Sequence, residues 1–108
     1  MQVINLTPHV LNLFNENNEE VMVIPPSGQV ARVRTESVLT GGVAGIPTFE
    51  TKFGEVEGLP EPQEGTIFVV SGLVRGHETV RNRQDVFQPG RLLRNESGQP
   101  VGCVGLTR

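Results

Sequence analysis

Thr66-Ile67-Phe68-Val69-Val70 decides the fold class. The run is short, continuously apolar after its threonine and rich in β-branched side chains. It has no helical period and suits a strand buried on both faces, hence a central one. Residues 71–81 (SGLVRGHETVR) follow at once and are the one stretch that reads as a helix. Ser71 would be its N-cap, and Leu73, Val74 and Val80 its thin apolar stripe. Gly72 and Gly76 work against it.

Working outward, the remaining segments also read as strands and turns. Residues 10–14 (VLNLF) and 21–24 (VMVI) flank an Asn-rich, acidic stretch and predict a hairpin. Pro25-Pro26-Ser27-Gly28 predicts a turn. After it, Arg32 and Arg34 share one strand face while Ala31 and Val33 point to the core. Residues 41–45 (GGVAG) read as a loop. Residues 46–56 read as a strand with Phe49 and Phe53 on one face, and residues 58–65 (GLPEPQEG) as an extended loop. Val86-Phe87 predicts a brief strand, and residues 91–106 a hairpin about Asn95-Glu96-Ser97-Gly98-Gln99. Short elements and tight turns predict one mainly β domain spanning 1–108. The expected architecture is an antiparallel meander forming a small barrel or sandwich, with one short helix after the central strand.

Composition narrows the function classes. Thirteen glycines and eight prolines accompany an apolar fraction of only 36%. There is no Trp or Tyr among the 108 residues, which argues against a general single-strand nucleic-acid binder built on aromatic stacking. The net charge of −3 argues against a duplex DNA binder. A lone cysteine, Cys103, excludes an internal disulfide framework and suits a reducing cytoplasm. No basic, apolar leader and no run near 20 apolar residues is visible, so the expectation is a cytoplasmic protein with no membrane partner.

Charge is divided between the two ends. Residues 1–64 carry nine carboxylates against Arg32, Arg34 and Lys52, whereas residues 65–108 carry six arginines against three acids. Arg75, Arg81, Arg83, Arg91 and Arg94 fall within one short stretch together with His77. The guanidinium fork suits phosphate and carboxylate, so such an excess points to an anion site. The candidate ligand-binding residues are Ser71 and Gly72 at the helix start, Arg75, His77, Arg81, and the pair Arg83 and Asp85. His9, held after Pro8, and Arg32 would join them from the N-terminal strands if the fold brings them near. Each has a structural alternative: a capped helix, a surface ion pair, a histidine bonded to backbone. Cys103 sits among glycines and apolar residues and reads as a small hydrophobe, not a nucleophile. No spacing predicts a metal site or a cofactor, and no catalytic residue is singled out.

Several segments together carry a resemblance: Asn5-Leu6-Thr7-Pro8-His9, Pro26-Ser27-Gly28 with Ala31-Arg32-Val33, Gly58-Leu59-Pro60-Glu61-Pro62 before Gly65-Thr66, Val70-Ser71, Arg83 with Asp85 and Pro89, and Gly98 with Gly102-Cys103. In that order they resemble a family of small proteins of bacteriophages, prophages and bacteria that open with an NLTPH motif. The resemblance implies a setting and no mechanism. With the charge pattern, it makes the leading expectation a phage-encoded protein that sequesters a small anionic, nucleotide-type ligand, such as a bacterial immune signal, without catalysis. The alternatives are a structural or protein-interaction accessory factor of a phage, whose acidic and basic halves pair copy to copy as a homo-oligomer, and a nucleotide hydrolase using His9 or His77.

Overall fold

The structure is a computed structural model that describes residues 1–108. Eight strands and one helical turn follow in the order β1 (Gln2–Asn5), β2 (Leu11–Phe14), β3 (Glu20–Ile24), β4 (Arg32–Val43), β5 (Ile46–Glu57), β6 (Thr66–Val69), α1 (Gly72–Arg75), β7 (Val86–Arg94) and β8 (Pro100–Thr107). Six strands form one nearly closed, barrel-like sheet in the order β1-β6-β7-β8-β2-β3. Strands β4 and β5 form a separate two-stranded arm. The protein is mainly β with a single short helix, as expected. No helix is long and apolar enough to cross a membrane.

The connectivity is less local than a meander. β1 with β6, β6 with β7, and β2 with β8 pair in parallel, and only β2 with β3 and β7 with β8 pair antiparallel in the barrel. The TIFVV run explains part of this. Parallel strands are covered on both faces and need no polar alternation. Phe68 and Val70 face one cluster with Leu6, Ala31, Val33, Val74, Val80 and Val86. Val69 faces the other way, into a second cluster with Leu11, Leu13 and Cys103.

Two hairpin loops are built alike. The Oδ1 of Asn15 accepts from the amides of Asn17 and Glu19 (2.9 and 3.1 Å), and that of Asn95 from the amides of Ser97 and Gln99 (both 3.0 Å). These are Asx turns, the reason such residues punctuate strands. Where β2 runs beside β8, a Cβ on Gly102 would collide with the Asn12 carbonyl and the Phe14 ring, so this close pairing requires glycine.

The sheet stops short of closure between β1 and β3, and Asn5 bridges that seam. Its Nδ2 donates to the carbonyls of Ile24 (3.2 Å) and His9 (2.7 Å). Its Oδ1 accepts from the amide and hydroxyl of Thr7 (2.9 and 2.7 Å). The Ser27 amide reaches the Asn5 carbonyl at 3.0 Å. Much of the NLTPH motif is thus architecture: a buried amide joins two strand ends that no ladder joins.

Three further expectations change. The brief strand at Val86-Phe87 continues through Pro89 and Gly90 to Arg94. Residues 41–45 are the end of a long hairpin, not a loop. β4 continues to Val43, and Ala44 and Gly45 turn with φ of 51° and 78°. Positive φ at both central residues gives the turn whose twist matches that of a two-stranded ribbon. The helix, in turn, is only one turn long. Ser71 caps it through a 3.4 Å bond from the Val74 amide, and hydrogen-bonded turns carry the chain from Gly76 to Arg83.

Candidate anion-binding site

α1 and the turns after it pack beside β7, and between them lies an open groove of about 580 Å³ with no apolar residue in its walls. Arg75, Arg81 and Arg83 line it together, with Gly72 at one side. Arg108 joins them from outside the arginine-rich stretch. Gln84 and Gln88 supply amides. The arginines arrive from α1, from the turn that follows and from the far end of β8.

Each guanidinium is held differently. Arg75 is buried, with 8% of its surface exposed. Its two terminal nitrogens donate to the carbonyls of Val80 (3.2 Å) and Arg81 (3.4 Å), which fixes the turn to α1. Its Nε is buried with no partner. Arg83 forms a two-pronged pair with Asp85 (3.1 and 2.6 Å) and also donates to the Pro60 carbonyl at 2.9 Å. It stands 5.9 Å above the Phe68 ring. Hydrogen bonds from Arg83 hold the Asp85 carboxyl below the usual range for a carboxylate. Arg108 donates to the Gln84 carbonyl at 2.9 Å and lies 4.9 Å over the Phe87 ring. Arg81 is exposed and its side chain makes no hydrogen bond.

Arg83–Asp85 is the molecule's one ion pair. Arg75, Arg81 and Arg108 therefore have no carboxylate partner. A buried cation without a counter-charge is costly, and three unpaired cations along one groove repel each other. An anion that supplies the missing charge relieves both.

A second hollow of about 480 Å³ shares Gly72, Gly76 and Arg81 with the groove. Val33, Phe53 and Leu73 give it apolar walls, and His77 and Glu78 border it. His77 is tied at both ring nitrogens. Nε2 lies 2.8 Å from the Gly54 carbonyl and must donate to it. Nδ1 then accepts from the Thr79 amide (3.2 Å) and meets its hydroxyl at 2.9 Å. His77 clamps the root of the arm to the turn after α1.

Other candidates fall elsewhere. Ser71 is spent on the helix cap, and a helix of four residues has no dipole worth invoking for anion binding. Arg32 is exposed on β4, opposite Glu57 in register, and lines no part of the groove. His9 borders a separate hollow formed with β7 and β8, and its ring makes no hydrogen bond there. Cys103 lies in that same hollow, where burial pushes its thiol up and away from the reactive thiolate. Of the five clustered arginines three converge. Arg94 braces the Asn95 loop through the Gly98 carbonyl (2.8 Å), and Arg91 projects from β7 into solvent.

Comparison with known proteins adds nothing to this geometry. No protein-family model, curated protein or solved structure matches the chain.

Proposed function

We propose that this protein binds a small polyanion of nucleotide type and sequesters it without catalysis. The observation that carries the reading is the convergence of Arg75, Arg81, Arg83 and Arg108 on one groove in which only Arg83 has a carboxylate partner. Phosphate groups belong there, facing the forks of Arg81 and Arg108 and the cation of Arg75. The adjoining hollow accounts for the rest of the ligand: Phe53 and Leu73 offer an apolar seat one wall away from Arg81. The setting implied by the NLTPH resemblance, a phage or prophage, makes a bacterial immune nucleotide the ligand and the protein a sponge for it.

Binding has more support than turnover. His77 uses both ring nitrogens structurally, and His9 borders a different hollow from the arginines. No general acid or base stands over the groove.

Calorimetry against cyclic nucleotides and ADP-ribose-type compounds, with inorganic pyrophosphate as the minimal probe, tests the reading. At least one nucleotide is expected to bind more tightly than pyrophosphate. Arg81→Ala is expected to weaken it roughly 10- to 100-fold, the value of a lost charge-assisted hydrogen bond. No heat with any compound at tens of micromolar protein would overturn it.

A further inference from the structure

The arm formed by β4 and β5 leaves one face without cover. In its ladder Thr35 pairs with Phe53, Ser37 with Thr51 and Leu39 with Phe49. Directly opposed residues point to the same side, so this face carries two phenylalanines, a leucine and three hydroxyls, and no charge. The other side takes the charges, with Glu36 opposite Lys52 and Glu50 opposite Val38. Leu39 is 62% exposed, Phe49 60%, and Val43 and Ile46 at the tip 66% and 64%. A two-stranded ribbon is marginal in water by itself. This one meets the body only at its root, through Val33, Val56 and the His77 clamp.

The whole molecule bears the same mark. Its accessible surface is 7385 Å², against roughly 5,900 Å² for a compact monomer of this mass. Its radius of gyration is 16.9 Å, against roughly 13 Å for a compact chain of this length. The surplus surface, about 1,500 Å² for one chain, exceeds the roughly 800 Å² that each partner gives to a standard protein interface.

The chain also displays a matching surface. A hollow of about 500 Å³ lies between β7, β8 and the start of β2, and no Asp, Glu, Lys or Arg lines it. Val10, Leu92 and Val101 stand exposed there, walled by Pro89 and Pro100. We propose that the occupant is a second copy of this chain: each arm lays its uncharged face across the other copy's hollow and seats Phe49 and Leu39 in it. Area selects this arrangement over arm against arm. The free ribbon face is roughly 30 Å long and 10 Å wide. Two such faces pressed together fall short of the roughly 1,200 Å² of a stable interface, whereas two reciprocal arm-to-body contacts reach it. Such an interface buries no charge and breaks no ion pair. It replaces the copy-to-copy pairing of acidic and basic halves that the sequence suggested, and it shares only Phe53, at the root of the arm, with the hollow beside the arginine groove.

Sedimentation of the full chain tests it. Wild type is expected to run as a dimer at about 20 µM in both 0.1 and 1 M NaCl, because screening leaves an apolar contact intact. Phe49→Asp on the arm and Val101→Asp in the hollow are each expected to weaken dimerisation at least tenfold. Circular dichroism checks that both variants fold, with Phe49→Ser as a milder arm variant. A monomeric wild type at about 20 µM, a dimer lost in 1 M salt, or dimers that survive both substitutions would overturn the proposal.

Discussion

Asn5 is the residue on which the barrel depends most for its size. Its side chain donates two hydrogen bonds and accepts two, and it is almost fully buried. Asn5→Ala strips partners from two carbonyls and from Thr7 at once. The expected loss is about 2–4 kcal/mol, read as a lower urea midpoint with an unchanged slope. His9→Ala removes an exposed ring without a partner and is expected to change the stability read from the same melts by less than about 0.5 kcal/mol. The NLTPH motif was visible in the sequence as a unit, but its purpose was not. An amide that bridges strand ends looks no different, in sequence, from one that awaits a ligand. The arginine groove was more legible. Crowded like charges in a chain with few nearby acids imply an anion or a distant counter-charge, and Arg75, Arg81 and Arg83 do converge. Arg108 lay outside that crowd and reached the groove through the β8 ladder. His77 misled because its partner, the Gly54 carbonyl, is 23 residues away.

Among the elements, β6 was the most readable. Its unbroken apolar run calls for cover on both faces, and it has cover on both. The parallel partners that go with such a run were not read from it, because short turns elsewhere favoured neighbours in sequence. The arm was half legible. Residues 46–56 read as a strand from the sequence, but the glycines before them disguise the end of β4. Ala44 at φ 51° is a mild misfit, since a side chain there usually belongs to Asn, Asp or Gly. Ala44→Asn is expected to steady the turn by a few tenths of a kcal/mol up to about 1. Hydrogen exchange of the distal arm amides should slow two- to fivefold, while amides of β6 and β7 stay as they were. Equal slowing in the barrel would mean that arm and barrel open as one unit.

For the molecule as a whole, ionic bonds contribute little to stability. A single ion pair, Arg83–Asp85, ties the strand β7 to the Pro60 loop, and its side chains are 19% and 20% exposed. The lowered pKa of Asp85 fixes the sign of its pH dependence. Its stabilising share is whole above the ordinary value of 3.8 and fades as pH falls from there through the lower folded value. Wild type is therefore expected to exceed Asp85→Asn by about 1 kcal/mol near neutrality, a modest figure because water still reaches the pair. The two should converge on acidification below that value, in urea melts taken at steps of pH. A gap that persists at pH 2 would assign the difference to packing and not to charge.

The place of β8 in the sheet has a consequence for biosynthesis. It alone pairs with both β7 and β2, so it joins the β1-β6-β7 half of the barrel to the β2-β3 hairpin. It is also the last of these strands to emerge from a ribosome. Until residues 100–107 have cleared the exit tunnel, Leu11, Leu13 and Val69 share no finished interior, and the nascent chain presents two sticky half-sheets to the cell. Closure of the barrel thus waits on β8, and until that strand is made the earlier ones stay open to aggregation.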